Sequence, residues 1–354
     1  RVCLSSLVQI RRRPAAPRDG PCDATWEGTV SVMIHKPDSG EMWDPCVFWH
    51  EGTYYLFSML DGHGMYTATS TDGVHWTPRE PGIARAPFGV FKMFIGRCRD
   101  RFMLDHGSHS GRPGWWNDTL RFWESSDLLH WKYKGETFDR HPDPRWYRPE
   151  GRCDHMYVIP KAEGHLDKGF WGYCVATTNA AQPCKALGML ESSDGLDWHW
   201  LPPPAFDWGN TPQQLMEVGG CECIDGRYYL IQGARFGYMG HFGYSVFTFV
   251  ADDPKGSFRP DLDAYRLCGS SHDLRQLGYG GKFGEIGVSC LASFGRGDRE
   301  LLLTNAMISV WKGTEIVWFV PIRKAVVDGH GHLRMGYWPG NEAMKGAEIP
   351  VDLG

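Results

Sequence analysis

Three acidic residues open apolar segments that are typical of β-strands, and together they could act on a glycosidic bond. Hydrolysis of that bond needs one protonated carboxyl group as acid and one ionised carboxylate as nucleophile or base. Burial or a neighbouring negative charge raises the pKa of the acid. A third carboxylate can stabilise the positive charge of the transition state. The three acids are Asp44 in Trp43-Asp44-Pro45, Asp154 in Cys153-Asp154-His155, and Glu217 in Met216-Glu217-Val218.

The surroundings of Glu217 and Asp44 follow one pattern. Glu217 is followed by a turn at Asp225-Gly226 and then by the aromatic strand Tyr228-Tyr229-Leu230. Asp44 is likewise followed by a turn at Gly52 and then by an aromatic strand. Acids at equivalent points of a repeated unit would converge on one centre. That arrangement predicts sugar chemistry.

Each acid has an alternative interpretation. Asp44 could cap a turn before Pro45, and Asp154 could form a structural ion pair with Arg152 or Arg148. Two nearby acids also compete for the same roles. Glu150 competes with Asp154, and Glu222 competes with Glu217, although an acid inside the strand is expected to face away from the centre or to lie deeper in it.

Further polar and aromatic residues near the strand ends are candidates for substrate binding. Trp43 could stack on a sugar ring, and the others could bond sugar hydroxyl groups. The segment from Asp105 to His109 is especially rich in hydrogen-bonding groups. The substrate-binding candidates are Trp43, His63, Asp105, His106, Arg152, Arg235 and Glu285.

A repeat along the chain indicates how the acids are positioned. Helical periodicity is scarce, and short apolar runs alternate with Gly, Pro, Asp and Asn. Three units end in a shared signature in which Asp precedes Trp by four residues. We predict that a polar side chain caps this turn through backbone N–H groups while the Trp anchors the returning strand. The three signatures are Ser70-Thr71-Asp72-Gly73-Val74-His75-Trp76, Ser125-Ser126-Asp127-Leu128-Leu129-His130-Trp131 and Ser192-Ser193-Asp194-Gly195-Leu196-Asp197-Trp198.

Units of about 50–75 residues with roughly four strands each are typical of propeller blades. The predicted fold is all-β, a single five-bladed β-propeller of four-stranded antiparallel blades around a central funnel. We place the propeller at residues 28–345, between an N-terminal tail at 1–27 and a C-terminal tail at 346–354.

Composition limits the classes of function. The net charge is −5 and the pI about 6.3, without the basic surface of a nucleic-acid-binding protein. No apolar run is long enough for a transmembrane helix, so no membrane partner is predicted. The 11 cysteines lack framework spacing and are interpreted mostly as buried free thiols. The tight spacing of Cys221 and Cys223 does not suit zinc, His106 and His109 suit a shared metal only loosely, and we predict neither metal nor cofactor.

The chain resembles the five-bladed propeller glycosidases, which include glycoside hydrolase families 43, 62, 32 and 68. Those families carry an Asp in the first blade, a middle Asp, and a Glu that precedes a glycine turn and an aromatic strand. The resemblance implies that Glu217 is the general acid and that Asp154 stabilises the transition state and adjusts the pKa of the acid. Asp44 would be the general base as in family 43, or the nucleophile as in family 32. The chain departs from family 32 at two places. It has Cys153-Asp154-His155 where family 32 has Arg-Asp-Pro, and it has Trp43 where family 32 usually has Asn before the first Asp.

The leading hypothesis is a glycosidase that cleaves a furanosyl-type linkage such as a fructofuranoside or arabinofuranoside. One alternative is glycosyl transfer or phosphorolysis on the same scaffold, and another is a carbohydrate-binding propeller without catalysis. The expected partner is a carbohydrate substrate. Localisation stays open between the cytoplasm and export, as does the oligomeric state.

Overall fold

The computed structural model describes residues 33–38, 41–108, 117–179, 185–211, 217–238, 241–269, 288–289, 291–311 and 314–346. Nearly all regular structure in these residues is β-strand, as predicted. Three short 3-10 helices accompany the strands, at Leu166–Lys168, Leu262–Ala264 and Pro339–Met344. Within the described residues, no helix is long and apolar enough to cross a membrane.

Four antiparallel sheets follow one another along the chain, and in each the order of strands in space follows their order in sequence. The first contains β1 (Trp43–His50), β2 (Thr53–Leu60), β3 (Gly64–Ser70) and β4 (Thr77–Pro78). The second contains β5 (Phe91–Cys98), β6 (Arg101–Ser108), β7 (Thr119–Ser125) and β8 (Lys132–Tyr133). The third contains β9 (Cys153–Pro160), β10 (Phe170–Thr177), β11 (Lys185–Ser192) and β12 (His199–Leu201). The fourth contains β13 (Glu217–Ile224), β14 (Arg227–Tyr238), β15 (His241–Ala251) and β16 (Arg259–Pro260), with β17 (Arg266–Gly269) also paired to β15.

The last strands of the chain return to the first sheet. Four of them extend it, because β1 pairs in parallel with β19 at Phe48 and Arg296. These are β19 (Ser293–Arg296), β20 (Leu301–Thr304), β23 (Arg323–Val327) and β24 (Leu333–Tyr337). A separate small sheet contains β18 (Val288–Ser289), β21 (Ala306–Trp311) and β22 (Thr314–Phe319).

One apolar core connects the sheets. Its largest cluster of buried residues draws on the first four sheets and on the last strands together, with members such as Phe57, Leu104, Tyr173, Leu230 and Phe294. The sheets therefore pack face to face and bury a common interior. The prediction of buried free thiols is confirmed for Cys46, Cys98, Cys153, Cys174 and Cys221.

The leading strands, by which we mean β1, β5, β9 and β13, each carry an irregularity near their first residues. Their pairing registers slip at residues 43–46, 91–93, 154–157 and 218–220. An extra residue in one strand of an antiparallel pair is a β-bulge, which bends the strand and redirects its side chains. The backbone is left-handed at Asp44, Lys92, His155 and Gly220. Each of the four sheets thus has a β-bulge near the start of its leading strand.

The closing signature caps its turn as predicted. In the third sheet, Asp194 Oδ1 accepts hydrogen bonds from the backbone N–H groups of Leu196 at 2.8 Å and Asp197 at 2.9 Å. Ser192 Oγ accepts another from Gly195 N at 2.8 Å. The buried Trp198 closes the turn by donating its indole N–H to the Gly195 carbonyl. The first and second sheets repeat the Ser and Asp bonds around Asp72 and Asp127, so the cap is a structural unit of the fold.

Replacing Asp194 with Ala should lower the free energy of unfolding by about 1–2 kcal/mol, the range for loss of a side chain that caps backbone N–H groups. Chemical denaturation at neutral pH measures the change. Asp298→Ala is the control, because this exposed carboxylate should matter by less than about 0.5 kcal/mol. Equal unfolding midpoints for the two variants would show that the cap contributes nothing.

Candidate functional site

The bulges bring the three predicted acids together. Asp44, Asp154 and Glu217, from here on the carboxylate cluster, lie in the first residues of β1, β9 and β13. Asp154 is fully buried, Glu217 is 8% exposed and Asp44 keeps partial exposure. The negative charges of Glu217 and Asp154 both act on Asp44, and that of Glu217 also acts on Asp154. The members of the cluster are therefore close enough for their charges to affect the protonation of Asp44 and Asp154.

Asp154 is held by two side chains, those of Arg152 and Asn117. Arg152 Nε donates to both of its carboxylate oxygens at 2.9 Å, and Asn117 Nδ2 donates to Oδ2 at 2.5 Å. Arg152 also bonds the ring of His155 at 3.2 Å. Burial raises the pKa of Asp154, and the charge of Glu217 adds to this effect, while Arg152 and Asn117 counteract both. The ion pair that the sequence offered as an alternative is thus present, and it fixes Asp154 in one orientation.

Asp154 also packs closely against a glycine, Gly107. A Cβ atom placed on Gly107 of β6 would lie 2.5 Å from Asp154 Cβ and 3.3 Å from its Cα. A second close approach occurs at Gly219 of β13, where a Cβ would lie 2.1 Å from the Ala292 carbonyl oxygen. The glycines let the leading strands of the third and fourth sheets approach their neighbours closely enough to hold the carboxylate cluster in place.

The electrostatic environment of Asp44 is mixed. Burial raises the pKa of Asp44 to about 6, and Glu217 and Asp154 push it in the same direction. Lys92 and Arg152 oppose the increase. A carboxyl group with this pKa can change its protonation state near neutral pH, as general bases do.

Two residues of the site were missed in the sequence. Lys92 is the second residue of β5 and is fully buried, and its ammonium donates to Ser293 Oγ at 2.6 Å. Lys92 lies at the bulge of β5, and Asp44 lies at the equivalent position in the bulge of β1. A lysine inside the apolar segment Phe91-Lys92-Met93-Phe94 was the available signal. Asn117 gave no such signal, since it lies outside the strands and its bonds to Asp154 and to the Cys153 N–H join residues far apart in sequence.

Glu222, the competitor of Glu217, belongs to a different group of side chains. Its Oε1 accepts hydrogen bonds from the Tyr157 hydroxyl and from Arg296 Nη2. Burial raises the pKa of Glu222, and Arg296 opposes the increase. Glu217 is the member of this pair whose charge acts on Asp44 and Asp154, while the Glu222 carboxylate is neutralised by its own arginine.

Asp105 and His106 of β6 are both buried. The Trp123 indole N–H, a pure donor, bonds His106 Nε2 at 3.0 Å, so His106 carries its proton on Nδ1 and donates it to the Gly107 carbonyl at 2.9 Å. Burial lowers the pKa of His106 to about 4 and keeps the ring neutral. Burial also raises the pKa of Asp105 well above its usual range. The protein itself uses both ring nitrogens of His106, and the expected substrate contact of either residue stays a prediction.

The remaining candidates are placed in part. Trp43 precedes Asp44 in β1, is partly buried and donates its indole N–H to Glu41. His63, also partly buried, bonds the Phe88 carbonyl at 3.1 Å. Arg235 lies in β14, but its side chain is outside the described residues, and so is the whole of Glu285. In the described part of the chain, no group of His, Cys, Asp and Glu is arranged to hold a metal ion.

Gly107→Ala should destabilise the protein by about 1–3 kcal/mol, because both atoms that the new methyl group would meet belong to a buried, tightly held residue. Thermal unfolding measures this cost. Gly96→Ala in β5 is the matched control, since a Cβ there would meet nothing within 4 Å. If the two variants unfold at the same temperature, the contact between Gly107 and Asp154 is not tight.

No protein-family model and no curated protein matches this sequence. Solved structures do match. An exo-1,5-α-L-arabinanase from a bovine ruminal metagenomic library has a TM-score of 0.59 at 13% identity, covering 84% of this chain and 97% of its own. An α-L-arabinanase from Cellvibrio cellulosa has a TM-score of 0.59 at 14% identity, covering 84% and 95%. A Bombyx mori family 32 β-fructofuranosidase in complex with sucrose reaches 0.66 at 12% identity, covering 90% and 67%. The chain therefore shares the β-propeller fold of these glycoside hydrolases.

Proposed function

We propose that this protein is a glycosidase that hydrolyses a furanosyl-type linkage. The observation that carries the proposal is the convergence of Asp44, Asp154 and Glu217 at the ends of three leading strands, with mutual electrostatic effects. Two carboxyl groups in different environments are the minimum that glycoside hydrolysis requires. A purely structural cluster would not need three acids at equivalent positions of three repeats.

The architecture that we propose is a propeller of five blades over residues 28–345, with tails at 1–27 and 346–354. Four sheets provide four blades, and the fifth would be formed by the last strands. The parallel pairing of β1 with β19 supports this, since it brings the last repeat beside the first, as closure of a ring demands. The carboxylate cluster would then lie in the central funnel.

Each acid has a role in this proposal. Glu217 is the general acid, which protonates the departing oxygen while the glycosidic bond breaks. Asp44, ionised above about pH 6, is the general base for water or the nucleophile. Asp154, held by Arg152, faces the positive charge that develops on the sugar ring. A separation of about 5–5.5 Å between the acid and the second carboxylate would indicate retention, and about 6.5–9.5 Å would indicate inversion.

The substrate class rests on the comparisons. The matched structures include some named as arabinanases, one named as a β-fructofuranosidase and one named as a xylan β-1,4-xylosidase. Trp43, which neighbours Asp44 in β1, is the aromatic residue best placed to stack on a sugar ring there. Arabinofuranosides and fructofuranosides are therefore the first substrates to test.

Glu217→Gln should reduce kcat on an arabinofuranosyl or fructofuranosyl oligosaccharide by about 10²–10⁴-fold, because the departing sugar alcohol must be protonated and the amide cannot supply the proton. Binding of the sugar, measured by calorimetry, should persist. Glu222→Gln is the matched control, since that residue is held by Tyr157 and Arg296 and should retain most activity. Unchanged activity of Glu217→Gln would contradict its role as acid, and binding without turnover in the wild type would indicate a carbohydrate-binding protein.

The pH dependence of kcat/KM should report the ionisation of Asp44. The value of kcat/KM should fall as the pH drops below about 6, because Asp44 becomes protonated there. Its pKa is raised above the unfolded value of about 3.9, so ionised Asp44 opposes folding at neutral pH, and this cost disappears as the pH falls from about 6 to about 4. Asp44→Asn should thus lose activity yet raise the unfolding temperature at pH 7, with little gain at pH 4. A variant that is destabilised at pH 7 would contradict this assignment.

A further inference from the structure

Lys92 is a buried cation outside the carboxylate cluster. Its side chain is fully buried, although lysine is rarely buried without a partner of opposite charge. In the described residues, its ammonium donates to Ser293 Oγ and lies 5.1 Å from the centre of the Phe94 ring, and it forms no ion pair within 4.0 Å. The ammonium carries a full positive charge, which a neutral hydroxyl group and an aromatic ring offset only in part.

The backbone at Lys92 is also unusual. Its φ is +33°, in the left-handed region that non-glycine residues seldom occupy. The bulge between Phe91 and Met93 creates this conformation and makes Lys92 the extra residue opposite β6. Backbone strain of this kind persists where the surrounding structure enforces it, often at functional sites.

The position of Ser293 shows where the ammonium points. Ser293 opens β19, which lies beside β1, and it pairs with Thr304 of β20. Thr304 Oγ1 in turn donates to the Pro45 carbonyl at 3.3 Å, directly after Asp44. Lys92 therefore reaches from β5 towards the beginning of β1, and its charge acts on Asp44.

Charged groups approach Asp44 from each leading strand. Lys92 comes from β5, Asp154 with its partner Arg152 from the start of β9, and Glu217 from β13. Arg152 is already bound to both oxygens of Asp154. Arg296, the cation of β19, is bound to Glu222. Among the described cations that act on Asp44, Lys92 is therefore the one that is not already bound to a carboxylate.

We propose that Lys92 is a positioning residue that keeps Asp44 ionised against the negative charges of Asp154 and Glu217. The proposal rests on the role of Asp44 as base or nucleophile, which requires the carboxylate form. With Glu217 protonated as the acid, the ion pair with Arg152 offsets the charge of Asp154, and the more distant charge of Lys92 offsets that of Asp44. The reactive protonation state is then electrically neutral, and this lowers the cost of burying it.

Lys92→Met should move the acidic limb of the kcat/KM profile upward by at least about one pH unit, the smaller end of what an opposite charge at close range produces. Lys92→Arg should restore the profile towards that of the wild type. Lys161→Met is the matched control, because it removes an equal charge from a side chain that pairs with Glu191 and should leave the profile unchanged.

A titration without substrate separates this proposal from the proposed activity. In protein carrying ¹³C-labelled aspartate carboxyl groups, the Asp44 resonance is assigned by its loss in Asp44→Asn. Its titration midpoint should rise in Lys92→Met and stay in place in Lys161→Met, whether or not any furanoside is hydrolysed. Should Lys92→Met fail to fold, Ser293→Ala provides the same test, because it releases the ammonium and should raise the midpoint by a smaller amount.

Two results would overturn the proposal. One is an unchanged Asp44 midpoint in Lys92→Met, or in Ser293→Ala if only that variant folds. The other is an increase in KM with an unshifted pH profile, which would make Lys92 a substrate contact. A shifted midpoint combined with no hydrolysis of any glycoside would uphold the link between Lys92 and Asp44 and reject the glycosidase assignment alone.

Discussion

Repulsion between buried carboxylates is the constraint on which the rest of this structure depends. Placing Asp44, Asp154 and Glu217 within reach of one another, away from water, is unfavourable unless cations or protons offset their charges. Arg152 achieves this for Asp154 by direct contact, and Lys92 acts on Asp44 from a distance. The contrast matters chemically, because a carboxylate in a tight ion pair is a poor base, whereas one under a weaker influence can still accept a proton.

The bulges explain how antiparallel strands can bring the carboxylate cluster together. A regular strand turns alternate side chains to opposite faces, so residues an odd number apart point in opposite directions. An extra residue reverses that order beyond the bulge. In β13, the bulge at 218–220 lies between Glu217 and Glu222. Both acids can then turn towards the neighbouring leading strands, Glu217 towards Asp44 and Asp154, and Glu222 towards Tyr157.

Local and repeated patterns in the sequence predicted the capped turns and the strands that begin with the acids, but contacts between residues far apart in sequence were predicted only in part. The capped turns around Asp72, Asp127 and Asp194 were predictable because every bond in them is local. The meeting of the three acids was predictable because a repeated unit places equivalent residues at equivalent points. Lys92 and Asn117 were missed, since their partners Ser293 and Asp154 lie far away in sequence. Strict alternation also suggested that Glu222 could face away, which holds only for a strand without a bulge.

The pairing of β1 with β19 has a consequence for the way this chain reaches its fold. The hairpins within each sheet join residues close in sequence and can form early, whereas Phe48 and Arg296 are separated by almost the whole described chain. Until they meet, the edge of β1 exposes unpaired backbone groups that can pair with another chain. The pairing of β1 with β19 therefore covers an edge at which the unfolded chain could aggregate, and we expect folding intermediates to be most vulnerable just before it forms.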